Sequence, residues 1–240
     1  MDNGWNASAA AWIADMGEHG DFGRRRVLDA PMLARIEGRK FARAIDIGCG
    51  EGRFCRMLKA RGIATVGIDP TGPLLERACA ADPGGDYRIG VAEELPFDDA
   101  TFDLAVSYLT LIDIPDYRRA IAEMARVLRP GGTVLVANLA SHFTASAREG
   151  WLRRKIGRML GYAMRDYSLE QARWTQWRGI RIVNWHRPFS AYFAAFLGEG
   201  LILRHFGEPL IPDPQTADDH RYNNAPWFET MEWQKPDQLR

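Results

Sequence analysis

The stretch Ala44-Ile45-Asp46-Ile47-Gly48-Cys49-Gly50-Glu51-Gly52 decides the reading of this chain. An apolar run stops at glycines, and a segment of helical period follows from about Arg53 to Ala60, with Gly62 as its C-terminal stop. Glycine lets the backbone turn sharply and lets a ligand approach without a Cβ in the way. A dinucleotide site would want G-x-G-x-x-G, whose third glycine seats the helix on the strand beside a pyrophosphate. Here the pattern is G-x-G-x-G, and Arg53 stands where that last glycine or alanine belongs. The carboxylate of Asp46 suits an ammonium-bearing cofactor better than a pyrophosphate. A turn that binds nothing and a nicotinamide or flavin site are the alternatives at this point.

Working outward, strand-like runs alternate with amphipathic segments from Ala44 to Asn138, the pattern of a parallel sheet flanked by helices. Strands are expected at Ala44–Ile47, Thr65–Ile68, Asp86–Gly90, Phe102–Ser107 and Thr133–Ala137. Helices are expected at Leu74–Ala81 and Tyr117–Leu128, and Pro130-Gly131-Gly132 reads as a turn. A helix over Ser190–Leu197 and strands at Leu201–His205 and Phe228–Trp233 complete the pattern. The fold class is therefore α/β: a doubly wound, mostly parallel seven-stranded sheet of Rossmann-like type. Its expected parts are a helical N-terminal lid (1–40), a cofactor-binding core (41–138), an inserted cap (139–187) and the C-terminal part of the sheet (188–240).

Seventeen residues beyond Gly52, Asp69 ends the second strand and precedes Pro70. In nucleoside-binding α/β folds an acid placed there accepts hydrogen bonds from the ribose hydroxyls. Alone it could be a helix N-cap for the segment after Pro70; beside the glycine loop, ribose binding is the better account.

With these residues in place the chain resembles the class I S-adenosylmethionine-dependent methyltransferases, in the branch of ubiquinone and menaquinone biosynthesis enzymes and natural-product methyltransferases. The matching motifs are Ile45–Gly52, Val66–Asp69, Ala92-Glu93-Glu94-Leu95-Pro96-Phe97-Asp98-Asp99, Phe102–Ser107 and Leu128-Arg129-Pro130-Gly131-Gly132, in the family's order. The resemblance implies S-adenosylmethionine as cofactor, with Gly48 and Gly50 lining its methionine part; Asp46 and Cys49 of the same loop are further cofactor-binding candidates. It implies Asp69 and Pro70 at the ribose, and Ala92 and Glu93 beside the adenine. One position departs from the family: Val91 stands where an Asp often accepts the adenine amino group, which shifts weight to Glu93 or to backbone groups.

Ligands of open α/β sheets bind outside the C-terminal ends of the strands. That places Ser107, Tyr108 and Asp113 at the reactive end of the cofactor site, Ser107 as a cofactor contact and the other two as candidate catalytic groups. Of the five histidines, His186 is the third catalytic candidate, because Trp185-His186-Arg187-Pro188 leaves the insertion just before a helix. A general base is one role for it; a brace for that helix is the other. Arg24 or Arg25 in the lid is a candidate for the cofactor carboxylate. Trp151–Ile156 reads as a solvated helix face, and the insertion's tryptophans read as core or as a cap over an aromatic or cationic substrate.

Composition narrows the partners. Thirty-one basic residues balance 31 acidic ones, so no net excess is available to neutralise phosphates, and no nucleic-acid partner is expected. The three cysteines are odd in number and lack metal-ligand spacing; free thiols and no metal site are expected. The first residues lack a basic stretch leading into an apolar run, and no run is long enough to span a bilayer. The expectation is a cytoplasmic monomer or homodimer acting on O, N or C of a small-molecule acceptor. The rivals are a protein or RNA methyltransferase and a non-catalytic S-adenosylmethionine-binding protein.

Overall fold

The computed structural model describes residues 3–153 and 159–237. Helix α1 (Trp5–Met16), a π-helical turn (Arg24–Leu28) and α2 (Asp29–Ala34) precede the sheet. The core follows as β1 (Arg43–Ile47), α3 (Arg53–Lys59), β2 (Ala64–Asp69), α4 (Gly72–Ala81), β3 (Asp86–Ile89), β4 (Phe102–Tyr108), α5 (Tyr117–Val127) and β5 (Leu128–Leu139). The insertion holds α6 (Ser141–Thr144), β6 (Ser146–Arg153), β7 (Met159–Met164), β8 (Gln171–Trp177) and β9 (Ile180–His186). The chain closes with α7 (Phe189–Gly198), β10 (Ile202–Gly207), α8 (Ala217–Asn224) and β11 (Phe228–Gln234).

Seven strands form the central sheet in the order β10-β11-β5-β4-β1-β2-β3. Strands β1 to β5 run parallel, and β11 lies antiparallel to both β5 and β10. The inner parallel strands are covered on both faces, so they read as nearly unbroken apolar runs; Ala44, Ile45, Ile47, Leu104, Ala105 and Val106 are all fully buried, whereas the edge strand β3 is partly exposed. Strand order reverses between β1 and β4, and the crevice at such a switch point is where doubly wound sheets bind their ligands.

Helix α5 shows how sequence sets an element and what that element then positions. The Asp116 side chain caps it by accepting from the Arg119 backbone N–H at 3.0 Å, and its apolar face buries Tyr117, Ala120, Ile121 and Met124. Its charged residues clamp the 92–99 loop. Glu123 accepts from the Leu95 N–H at 2.8 Å, while Arg126 donates to the carbonyls of Leu95 and Phe97 at 3.0 and 2.7 Å.

Every sheet strand expected from the pattern is present. The insertion differs from expectation, since Trp151–Arg153 belong to β6 and not to a helix; Arg154–Ile156 lie outside the described residues. This segment forms two antiparallel ribbons, β6–β7 and β8–β9. The second packs on the N-terminal segment, where the Val183 N–H donates to the Asn3 carbonyl at 2.9 Å and Ser8 bonds the backbone of Arg181. Among the described residues no helix is long and apolar enough to cross a membrane, and no acid, histidine or cysteine cluster could hold a metal.

Candidate active site

The loop after β1 is shaped by three glycines in the left-handed region, at φ 72°, 54° and 75° for Gly48, Gly50 and Gly52. Two of them show why. A Cβ on Gly48 would lie 2.1 Å from Thr110 Cγ2, so the loop and the segment after β4 interlock only without it. A Cβ on Gly50 would meet Leu74 Cδ1 at 4.0 Å, and both residues line a cavity of about 300 Å³.

Asp46, Gly48, Cys49, Gly50, Asp69, Pro70, Ala92 and Glu93 all line this cavity. Ser107 does not: it is fully buried, with no partner for its hydroxyl. The alternation of β4 turns it away, since Tyr108, one residue on, faces the cavity. Asp69 Oδ2 accepts from the Gly50 N–H at 2.9 Å and Oδ1 from the Thr71 N–H at 2.8 Å. Each oxygen keeps a lone pair for a neutral donor. Burial raises its pKa, against those two hydrogen bonds. Asp46 Oδ2 accepts from Cys55 Sγ at 3.3 Å, while its Oδ1 is a buried acceptor without a partner. Burial pushes this carboxyl up to about 7, a cost that a cationic ligand would remove.

Arg53, which breaks the dinucleotide pattern, ties the N-terminal segment to the loop. It donates to the His19 carbonyl at 2.8 Å and to both oxygens of Asp29, and Asp29 accepts the Tyr108 hydroxyl at 2.8 Å. Tyr108 is therefore a wall whose hydroxyl is occupied; burial raises its pKa far out of range for acid–base work. Arg24 stands over the rings of Trp12 and Tyr108 at 4.9 and 5.6 Å and pairs with Asp21. It lines the cavity, whereas Arg25 is exposed away from it.

A second, larger chamber of about 1380 Å³ adjoins the first. Trp5, Trp12, Arg24, Leu109 and Asp113 line both. Leu109 holds a left-handed φ of 59°, a strained conformation for a branched side chain, at the boundary. Asp113 sits there too, its Oδ1 accepting from Asn184 Nδ2 at 2.5 Å. Burial pushes its carboxyl up to about 8, against hydrogen bonds from Asn184 and Trp5.

His186 is corrected from candidate base to brace. It is 1% exposed, its Nε2–H donates to the Tyr167 carbonyl at 2.9 Å, and Nδ1 accepts the Thr144 hydroxyl at 2.7 Å. A carbonyl only accepts, so the tautomer is set and no lone pair remains to take a proton. Burial lowers its pKa and keeps it neutral. Its neighbour Arg187, fully buried, carries the bracing further by donating to the carbonyls of Leu111, Ile114 and Pro115 around Asp113.

Sequence reasoning missed Glu51, Trp5 and Asn184. Glu51 stood in the loop itself and is buried against the cavity. Trp5 and Asn184 had no local signal, since only tertiary packing carries them to Asp113.

Residues 45–136 match the family profile described as a methyltransferase domain. Over that stretch the chain is similar to methyltransferase domains. A solved S-adenosylmethionine-dependent methyltransferase from Mesorhizobium loti superposes with a TM-score of 0.78 at 27% identity, covering 91% of this chain and 100% of that one. Malonyl-[acyl-carrier protein] O-methyltransferase of Salmonella typhimurium is 35% identical over 120 residues, 50% of this chain and 48% of that protein. An uncharacterized methyltransferase of Mycobacterium bovis is 40% identical over 120 residues, 50% and 46% of the two chains. The matched stretch thus spans about half the length of these curated relatives. The family profile, at residues 45–136, takes in most of the residues that line the smaller cavity and ends before the insertion that lines the chamber.

Proposed function

We propose that this protein is an S-adenosylmethionine-dependent methyltransferase acting on O, N or C of a small-molecule acceptor held in the larger chamber. The supporting observation is the orphaned Asp46 Oδ1 in a cavity that also holds the doubly anchored Asp69 and opens to the chamber at Asp113. The residues fit the cofactor. Asp46 takes its ammonium, Asp69 its ribose hydroxyls, and Ala92 and Glu93 wall the adenine.

When bound, S-adenosylmethionine supplies a methyl carbon activated by its sulfonium. An acceptor held in the chamber would meet that carbon at the boundary of the two cavities, where the Asp113 carboxylate would take any proton the acceptor sheds. Trp5 and Trp12 on the N-terminal lid and the β8–β9 ribbon of the cap exclude water and align the acceptor. Good alignment supplies roughly 7–11 kcal/mol of a barrier. A positioned base adds about 10²–10⁴-fold.

Calorimetry tests the first half of this proposal. S-adenosylhomocysteine is expected to bind and NAD to give no heat, with Asp69→Ala weakening the former strongly. Tight NAD binding with no response to S-adenosylhomocysteine would overturn it.

A further inference from the structure

Two residues of the β8–β9 ribbon stand directly opposite each other, Arg173 and Asn184. Opposite residues on one face of an antiparallel pair have their Cβ atoms about 4.5–5.5 Å apart. Asn184 holds Asp113, so Arg173 lies one cross-strand step from the carboxyl at the mouth of the cofactor cavity. It lines the chamber and is half-buried. One Nη donates to the carbonyls of Thr144 and Ser146 at 2.8 and 3.4 Å, which fixes the guanidinium but does not neutralise it. Among the described residues no carboxylate pairs with it. A fixed, half-buried cation with one planar edge free matches a carboxylate, which it can hold through two parallel hydrogen bonds.

The wider chamber agrees in sign and shape. Among the described residues five arginines and three aspartates line it; Arg24, Arg165 and Arg178 pair with Asp21, Asp166 and Asp15, while Arg173 and Arg181 pair with no carboxylate. The whole chain balances its charges, so this local excess is a property of the chamber. An aromatic cage for a cationic substrate would carry carboxylates instead. Aromatic walls are present on two sides: Trp12 meets Trp177 edge-on at 6.5 Å, and Phe143 stacks on Trp227 at 4.9 Å. Its volume, about 1380 Å³, exceeds the roughly 300–1,000 Å³ usual for a drug-sized ligand.

We propose that the acceptor is an aromatic acid, its ring system against these aromatic walls and its carboxylate on Arg173, which presents a separate protic group to Asp113. This rests on the methyltransferase reading above. The carboxylate is the anchor and not the methylated group, because a carboxylate nucleophile carries no proton and has no use for a neighbouring base. Arg173 is thus a specificity-determining residue for the acceptor.

The test is calorimetric titration of the protein saturated with S-adenosylhomocysteine, using 3-hydroxy-2-naphthoate, its carboxamide and 2-naphthylmethylammonium. The carboxylate is expected to bind at least tenfold tighter than the carboxamide, and the ammonium more weakly than either. Arg173→Gln should erase the preference for carboxylate over carboxamide and Arg173→Lys should retain part of it, both with unchanged affinity for S-adenosylhomocysteine, which also reports that the variants are folded. Equal binding of carboxylate and carboxamide, tighter binding of the ammonium, or a preference that survives Arg173→Gln would overturn the proposal. Failure of S-adenosylhomocysteine to bind would overturn the methyltransferase reading instead, so the two failures are distinguishable.

Discussion

The smaller cavity draws most of its lining from four short stretches, 46–54, 68–74, 90–93 and 108–115, each following one of the parallel strands β1 to β4. The larger chamber gathers side chains from α1, the loop before the π-helical turn, the insertion and the start of β11, positions up to 223 residues apart. The first is a product of local chain geometry: a strand ends, glycines turn the backbone, and the ligand meets whatever comes next. The second exists only when distant segments dock. Binding of the cofactor should therefore respond to backbone changes in the loop, whereas acceptor chemistry should respond to side chains at the docked boundary.

The sharpest way to break that contrast is Gly50→Val. A branched side chain at φ 54° is strained and projects into the cavity, so S-adenosylhomocysteine affinity should fall at least 100-fold in calorimetry. Retained affinity would show that the loop geometry does not make the site.

Next in size is the pair Asp113→Asn and His186→Ala. Asparagine cannot take a proton, so kcat should drop about 10²–10⁴-fold for a protic acceptor, with S-adenosylhomocysteine affinity unchanged. Wild-type kcat should climb with pH towards a plateau above about 8, as Asp113 ionises, and Asp113→Asn should flatten that profile. His186→Ala should do the reverse. It strands the Thr144 hydroxyl and the Tyr167 carbonyl, a loss of about 1–3 kcal/mol, read as a lower Tm with turnover largely kept. An equal loss of kcat in both variants would dissolve the distinction.

A smaller effect joins the two regions through pH. Burial raises Asp46 to about 7 and both Asp113 and Glu229 to about 8. Above the carboxylate range of the unfolded chain the native state then binds more protons than the unfolded one, so stability falls as pH rises. The contribution is fully present near pH 4 and is lost as pH climbs through 7 to 8. Without cofactor, Tm should decline between pH 5 and 9, and Glu229→Gln, away from both cavities, should flatten part of the decline. A Tm that rises over that range would contradict the burial of these acids.

The smallest expected change is at the adenine wall. With Val91 in place of an acid, Glu93→Ala should weaken S-adenosylhomocysteine about 5–10-fold, the worth of one net hydrogen bond. Wild-type affinity in that variant would leave adenine recognition to backbone groups of the 90–93 stretch.

Much of this was legible in the residues because its causes are local. The strands β1 to β4 each end in a turn, Asp69 closes the second of them, and a parallel sheet leaves its ligands nowhere else to bind. The β6–β7 ribbon was not legible. Its strands carry charged and small residues without clean alternation, and a two-stranded ribbon is stable only through what it packs against. Ser107 shows how a period of two can mislead by one place: the pattern located the strand's end, but only the observed pleat decided that Tyr108 faces the cavity.

By itself the sequence determined the sheet, the glycine loop and the acids beside it, since each is encoded within a few consecutive residues. What separates Asp113 from His186 as a candidate proton acceptor is visible only in the tertiary structure. A proton acceptor needs a free lone pair at the right boundary. His186 has both nitrogens engaged by residues 19 and 42 positions away. Asp113 is held at the junction of the two cavities by Asn184, 71 positions along the chain, and raised by the burial that this docking imposes.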